Sequence, residues 1–400
     1  MKIGITTYGC DPGRSGISRY LSCLLKSLPE ATEPDVRFEL LATEEDAKIL
    51  LGKEYDSRIE VFNPRSLLQK KITNHLWHWF VLPKLVKQRG YDLLFLPAAN
   101  QYAIRYPVCP TVGTVHDFSW LHMEHKYGRM QAYYLMKMLP RLINRLTVAL
   151  TVSESSKRDI LRHTTLPEDR VIVTSLAGDH LPDPDSIDES MLQMVKNRYG
   201  ITAPYICYLS RLEHPDKNHV RLIRAFEQLV ADGFEHQLVL AGGDFLGAKA
   251  IHEAIRTSPA RDRIITTGLI PEMDVPSLLK GCTAMAFPSL YEGFGLPVIE
   301  ALRLGVPVAC SHIPSLVEVA GKMVGEKLDL GIGTGAGAAY FDPYSEASMA
   351  AVLREVLTDE AARSRLIERG RERAAHFSWH KTAEATTAAF HQAMSLCFSV

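Results

Sequence analysis

Short apolar runs rich in β-branched residues alternate along the chain with longer stretches in which apolar positions recur every three or four residues. Runs of the first kind lie at 2–7, 36–42, 91–96, 111–115, 147–152 and 170–173. Helical periodicity covers roughly 17–28, 66–89, 130–145 and 154–163 between them. The same rhythm resumes at Tyr205–Ser210, Gln237–Ala241, Arg263–Thr266, Ala284–Pro288 and Val306–Cys310. Regular alternation of strand and helix predicts βαβ units, hence an α/β fold with parallel sheets and helices on both faces. Two more helical stretches, about 346–375 and 379–395, close the pattern, with Ser378 where an N-cap belongs.

The rhythm breaks at Gly178-Asp-His-Leu-Pro-Asp-Pro-Asp-Ser186, whose Pro and Asp content forms turns. The break predicts Rossmann-like domains over 1–178 and 204–376, joined by a linker at 179–203. A length of 400 residues suits two domains, each able to bury a core. A formal net charge of −1 supplies no bulk attraction to nucleic acid, so no nucleic-acid partner is expected. Seven cysteines stand singly at wide spacings, which argues against a disulfide framework or zinc site and for reduced thiols in a cytoplasmic protein. No apolar run reaches the roughly 18 residues that span a bilayer, so membrane contact is expected only at the surface.

In open parallel sheets, ligands bind outside the carboxyl ends of the strands, and the polar residues of interest follow strands. In Ser289-Leu-Tyr-Glu292-Gly-Phe-Gly-Leu-Pro-Val-Ile-Glu300, Gly293 and Gly295 allow a tight strand-to-helix turn. The helix that follows offers free N–H groups and a positive dipole end to an anion. Glu292 lies in the loop and Glu300 one turn into the helix. Arg211 and Lys217, in Leu209-Ser-Arg-Leu-Glu-His-Pro-Asp-Lys217-Asn, stand before and at the start of a helix predicted over 217–231. Cations there oppose the helix dipole unless an anion such as a diphosphate is bound. His116 and Asp117 end a strand of the first half. The turn Cys10-Asp-Pro-Gly-Arg-Ser-Gly16-Ile-Ser-Arg19-Tyr20 opens a helix with flexible glycines and offers backbone donors to phosphate. Gly331-Ile-Gly-Thr-Gly-Ala-Gly337 precedes no helix and reads as a loop.

Together, Glu292-x7-Glu300, the Arg211…Lys217 pair, His116 and the Gly16 turn resemble family 4 of the glycosyltransferases. Thr151-Val-Ser-Glu-Ser-Ser-Lys157 and Phe377-Ser-Trp379 resemble connecting segments of that family. The resemblance implies the GT-B fold, in which two Rossmann-like domains face each other across a cleft and a C-terminal helix, here 377–400, packs back on the first domain. It implies that Arg211 and Lys217 hold the diphosphate of a nucleotide-sugar donor, that Glu300 hydrogen-bonds the ribose, and that Glu292 with the Phe294–Leu296 backbone holds sugar hydroxyls, with Gly293 also at the donor. Gly16, Gly243 and Leu269–Ile270 are implied near the donor, with Phe294 and Gly295 in its loop. His116 is implied to line the sugar and acceptor site, and Asp117 and Arg19 are assigned to the acceptor. The stretch from Gly321 to Gly337 is longer than the family's usual connection. Thr174-Ser-Leu-Ala-Gly178 replaces its more typical Pro-Asn-Gly turn.

The activity so implied is retaining transfer of a hexose to a glycan or polyprenyl-diphosphate-linked saccharide in polysaccharide assembly. The nucleotide sugar serves as co-substrate, and neither a cofactor nor an obligatory metal is expected. Similarity around His116-Asp-Phe-Ser-Trp120 to bacterial mannosyltransferases makes mannose the first expectation. Residues 65–89 and 122–145 mix Arg65, Lys70, Lys71, Lys84, Lys87, Arg89, Lys126, Arg129, Lys137, Arg141 and Arg145 with aromatics. That mixture suits an anionic membrane surface, and equally core-packed helices with snorkelling cations. A sugar-nucleotide epimerase of the same architecture and a non-catalytic nucleotide-sugar-binding protein remain the alternatives.

Overall fold

In the computed structural model, residues 1–13, 15–64, 71–119, 132–322, 331–332 and 335–398 are described. They form two units, Met1–Leu176 with Ser378–Val400, and Ala177–Phe377. Unit 1 is built on strands β1 Lys2–Thr6, β2 Arg37–Leu41, β3 Ile59–Phe62, β4 Leu93–Leu96, β5 Thr111–Thr114, β6 Val148–Thr151 and β7 Val171–Val173. They lie in the order β3-β2-β1-β4-β5-β6-β7. Unit 2 carries β8 Tyr205–Leu209, β9 Gln237–Ala241, β10 Ile264–Thr266, β11 Ala284–Phe287, β12 Val308–Ser311 and β13 Ala339–Phe341, ordered β10-β9-β8-β11-β12-β13. Every pairing within both sheets is parallel. Central strands such as Leu93-Leu-Phe-Leu96 and Ala284-Met-Ala-Phe287 are buried throughout, as a sheet covered on both faces requires.

The strand order reverses between β1 and β4 in unit 1, and between β8 and β11 in unit 2. At such a switch point the loops leaving adjacent strands diverge and open a crevice for ligand. The fold therefore directs attention to residues after β1 and β4, and after β8 and β11.

Several elements differ from the sequence expectation. Strand β3 has exposed Glu60 and Val61 and lies at the sheet edge, so it carries no apolar run. The stretch 179–203, expected as a linker, folds with unit 2 and holds the helix Glu189–Tyr199. That helix buries only Val195, so its apolar periodicity is faint, and Asp188 and Gly200 supply its caps. Arg198 and Tyr199 fasten it to the Asp274 carboxylate at 2.7 Å each. The helix expected from Lys217 begins at His219. The stretch 346–375 is two helices, divided at Asp359, whose carboxylate accepts the Ala362 N–H.

The pattern at 66–89 is interrupted: Lys71–Leu76 is α-helical, Trp77–Val81 forms a π-turn and Leu82–Arg89 is α-helical again. Proline explains it. Pro83 has no N–H, and its ring would meet the carbonyl four residues back, so the helix widens before it and Leu82 N–H donates to Trp77 O. The same device recurs at Tyr134–Met138 before Pro140, where Leu139 N–H donates to Tyr134 O. Arg65, Lys70, Trp120, Lys126, Tyr127 and Arg129 lie outside the described residues, as does much of 321–337. The closing helix Trp379–Phe398 belongs to unit 1: Thr382 Oγ1 donates to Ser175 O at 2.6 Å, and Phe390 packs edge-on against Phe95.

Candidate functional site

Two loops of unit 2 straddle the switch point, 210–218 after β8 and 288–295 after β11. Asn218 joins them. Held in the left-handed region at φ 59°, it donates its Nδ2 hydrogens to Pro288 O at 3.0 Å and Pro343 O at 2.7 Å. Leu290 N–H donates to Asp216 O at 2.9 Å, and the buried Tyr208 hydroxyl donates to Lys217 O at 2.7 Å. Lys217 is thus fixed by its own backbone, and its Nζ lies 2.6 Å from Glu292 Oε1. Arg211 lies 2.8 Å from Glu213 Oε2 and stacks its guanidinium 4.1 Å from the centroid of Phe245. Glu213 is buried, while the Arg211 side chain keeps 45% of its surface exposed. Both cations are therefore aimed by carboxylates, with solvent still reaching the arginine.

The helices that follow β8, β9 and β11 begin in an unusual way. Their N-cap residues Asn218, Gly247 and Gly295 all lie in the left-handed region, and none makes a side-chain cap to its helix. An ordinary N-cap is extended and satisfies one of the first amide donors. Part of that donor set is used locally, since Ala248 N–H donates to Phe245 O, Ala250 N–H to Gly247 O and Val298 N–H to Gly295 O, and Pro297 has no N–H; what remains open to a ligand lies at helix ends with no side-chain cap. Gly295 is required for this geometry: its φ is 104°, and a Cβ would sit 2.4 Å from Leu316 Cδ2. The Phe294 ring is buried against Phe377, so its contribution to the loop is its backbone. Gly243 lies beside Leu269, with Ile270 next in the chain, and Leu212 N–H donates to Gly243 O at 2.9 Å.

Glu300 is buried in the helix Leu296–Arg303, and its Oε1 lies 3.1 Å from His180 Nε2. His180 comes from the stretch expected to be a linker, and no periodicity marks it. Glu213, between Arg211 and Lys217, and Asn218, just after Lys217, carry no mark of function in the sequence pattern. Their roles depend on burial and on a left-handed backbone, which the sequence does not print. His219, two residues after Lys217, is fully buried, and burial pushes its imidazole down to about 3, so it is neutral.

In unit 1, Ser15 caps the helix Gly16–Ser27 by accepting from Ser18 N–H, and Gly13 N–H donates to Ser18 Oγ at 2.8 Å. Several donors of this turn are thus already used, while Gly16 itself faces open space. Arg19 lies one turn on. The His116 ring stands edge-on to Tyr20, and its Nε2–H donates to Pro97 O at 2.8 Å. Burial lowers its pKa, which keeps the ring neutral. Asp117 accepts from Ser119 N–H at 3.1 Å in a local turn. The residues expected around the donor are thus grouped in unit 2, apart from Gly16. That residue lies in unit 1 with His116, Asp117 and Arg19.

Of the basic and aromatic segments, Trp77 belongs to the core, and Tyr134 and Trp79 pack against it. Leu76, Phe80, Val81, Tyr133 and Met136 are exposed, as are Lys84, Lys87, Lys137 and Arg141.

The chain is similar to known sequences along most of its length. The family model Glycosyltransferase Family 4 matches residues 14–176, and Glycosyl transferases group 1 matches residues 193–373. O-antigen chain mannosyltransferase B of Escherichia coli is 29% identical over 98% of this chain and 99% of that protein. The serotype-specific mannosyltransferase WbdA of Escherichia coli is 28% identical over 70% of this chain, which matches 33% of that longer protein. Among solved structures, Anabaena Alr3699/HepE in complex with UDP and glucose aligns with a TM-score of 0.73 at 17% identity. The alignment covers 98% of this chain and 99% of that one.

Proposed function

The chain belongs to the family 4 glycosyltransferases, and from that premise we propose that it moves mannose, with retention of configuration, from a nucleotide diphosphate sugar to a growing surface polysaccharide or its lipid-linked precursor. One observation carries the donor assignment: Arg211 and Lys217, each aimed by a glutamate, stand at the unit 2 switch point beside the two helix N-termini after β8 and β11, neither of which has a side-chain cap. This arrangement supplies amide donors and two positive charges to one diphosphate. The mannosyltransferase relatives support the choice of sugar.

In the proposed reaction, the acceptor hydroxyl oxygen bonds to the anomeric carbon as the bond from that carbon to the diphosphate breaks. The hydroxyl proton passes to the departing diphosphate on the same face, so configuration is retained. Arg211 and Lys217 offset the charge that builds on the leaving group, and such preset electrostatics supply the largest part of many rate enhancements. Because these cations serve that purpose, the reaction is proposed to need no obligatory metal. Glu292 orients Lys217 and grips a sugar hydroxyl through its carboxylate. Glu300, set by His180, holds the ribose. Neither acts as a covalent nucleophile, unlike a retaining glycosidase carboxylate. Acceptor binding is assigned to unit 1, with His116, Asp117 and Arg19.

No described helix is long and apolar enough to cross a membrane. We propose instead that Leu76, Phe80, Tyr133 and Met136, flanked by Lys84, Lys87, Lys137 and Arg141, rest on an anionic leaflet on the cytoplasmic side. Sedimentation with vesicles of anionic lipid at low salt, lost at high salt, is the expected result; no sedimentation at low salt contradicts it.

The test of function is incubation with GDP-mannose and with UDP-hexoses, with and without a mannose-terminated acceptor, reading product and anomeric configuration by NMR. Transfer of α-mannose from GDP-α-mannose is expected. Conversion of the donor without acceptor would favour an epimerase, and binding without turnover a non-catalytic protein.

A further inference from the structure

The unit 1 switch point also holds a cluster that none of the assignments above uses. Tyr8 follows β1, Asn100 and Tyr102 follow β4, and the widened helix around Trp77–Val81 lays Asn74, His75, His78 and Trp79 beside them. The His78 ring stacks on Tyr102 with centroids 5.2 Å apart and planes 12° from parallel. His75 lies 4.7 Å from Tyr102 and 4.3 Å from Tyr134, and Trp79 lies 6.1 Å from His75. Tyr8 meets the edge of His78 at 5.9 Å.

Within this cluster the polar atoms are not matched. His78 is 1% exposed. Its Nδ1–H donates to Asn74 O at 2.7 Å, which leaves Nε2 as a lone-pair acceptor, and no donor reaches it. Asn74 Oδ1 and Asn100 Oδ1 are likewise buried acceptors without a donor, and Trp79 Nε1–H is a buried donor without an acceptor. His75 Nδ1 is unmatched as well. Buried polar groups are rarely left so, and several in one place call for a ligand or ordered water. The deficits have both signs. An anion would satisfy only the donor and a cation only the acceptors, whereas a hydroxyl gives and takes one hydrogen bond each. Burial holds His78 down to about 4, so no cationic imidazole draws an anion there. Aromatic faces beside hydroxyl-matching atoms suit a sugar ring, which has an apolar C–H face and a polar rim. The π-turn is the backbone device that brings His78 and Trp79 to this face, and such turns occur often at functional sites.

We infer that Asn74, His75, His78, Trp79 and Tyr102 form a neutral saccharide subsite that grips a sugar residue of the acceptor chain. The inference rests on the reading that the protein glycosylates a glycan, yet its test does not require turnover. The probe is α-linked mannotriose, titrated into the full chain without donor and followed by tryptophan fluorescence and calorimetry. His78→Phe fills the ring's space while removing both nitrogens, and Trp79→Phe keeps an aromatic face while removing the indole N–H. Each is expected to weaken mannotriose binding roughly tenfold or more, and to raise acceptor KM by more than it lowers kcat. The melting shift induced by GDP, which reads unit 2, reports that each variant is folded. If the orphan atoms only hold water, His78→Phe raises the melting temperature and leaves mannotriose affinity within twofold of wild type, which overturns the subsite. Absence of mannotriose binding to the wild-type chain overturns it too, even where mannose transfer is observed. Conversely, binding that the variants weaken upholds the subsite even where transfer from GDP-mannose fails.

Discussion

The two switch points share a topology and differ in chemistry. In unit 2 the loop after β8 carries Arg211 and Lys217, aimed by Glu213 of the same loop and by Glu292 of the loop after β11, beside helices whose N-termini lack a side-chain cap. In unit 1 the helices that follow β1, β2 and β6 are capped in the ordinary way by Ser15, Thr43 and Ser153. The unmatched polar atoms around the unit 1 switch point belong to the neutral imidazole, amide and indole groups of Asn74, His75, His78, Trp79 and Asn100. The same α/β frame thus presents cations beside uncapped helix ends at one switch point, and an aromatic cluster with unmatched neutral atoms at the other. The contrast teaches that capping separates the two more sharply than strand order does. A helix end left open beside cations is suited to an anion, and a closed one is not.

Removing a unit 2 cation should break the comparison most severely. Arg211→Ala and Lys217→Ala are each expected to cut turnover by about 100-fold or more with the fold retained, as loss of a transition-state donor does. Steady-state transfer rates beside circular dichroism check this; near-normal turnover in both would remove the clamp.

Acid should weaken both units. His78 in unit 1 and His219 in unit 2 are neutral when folded, with pKa values pushed down by burial to about 4 and about 3. Unfolded, each takes up a proton near its ordinary value of about 6.5. Folding then opposes protonation, so stability is full above that value and falls as pH drops through 6.5 toward 4. The loss approaches about 1.4 kcal/mol per pH unit for each histidine. Urea midpoints at pH 7 and pH 5 measure it, and a midpoint that does not fall contradicts the neutral assignment.

Gly295→Ala forces a side chain into a left-handed backbone and against Leu316. It should cost about 2 kcal/mol of stability and weaken nucleotide binding with it, as melting curves with and without GDP would show. The smallest effect belongs to unit 1. Ser153→Ala removes an ordinary cap, should cost about 1 kcal/mol, and should leave GDP affinity unchanged. A change in that affinity would blur the division between the units.

Much of this was legible in the sequence because its signals are local. Buried parallel strands such as Leu93-Leu-Phe-Leu96 are short apolar runs, and the residues after them stand out as Arg211, Lys217 and Glu292. What escaped depends on contacts distant in sequence or on backbone conformation. Strand β3 is half exposed and carries no run. The helix Glu189–Tyr199 buries one residue, so its segment reads as a linker. His180 gains meaning only through Glu300, 120 positions later, and Asn218 only through its φ of 59°. The prolines at 83 and 140 were visible, but the widened turns they cause, and the side chains those turns redirect, were not.

Whether unit 2 grips a diphosphate is measured by calorimetric titration of GDP against guanosine, on the wild-type chain and on Lys217→Ala. The wild type should prefer GDP strongly, and the preference should collapse in the variant. A wild-type chain that binds both equally, or a variant that keeps the full preference, would contradict the diphosphate grip.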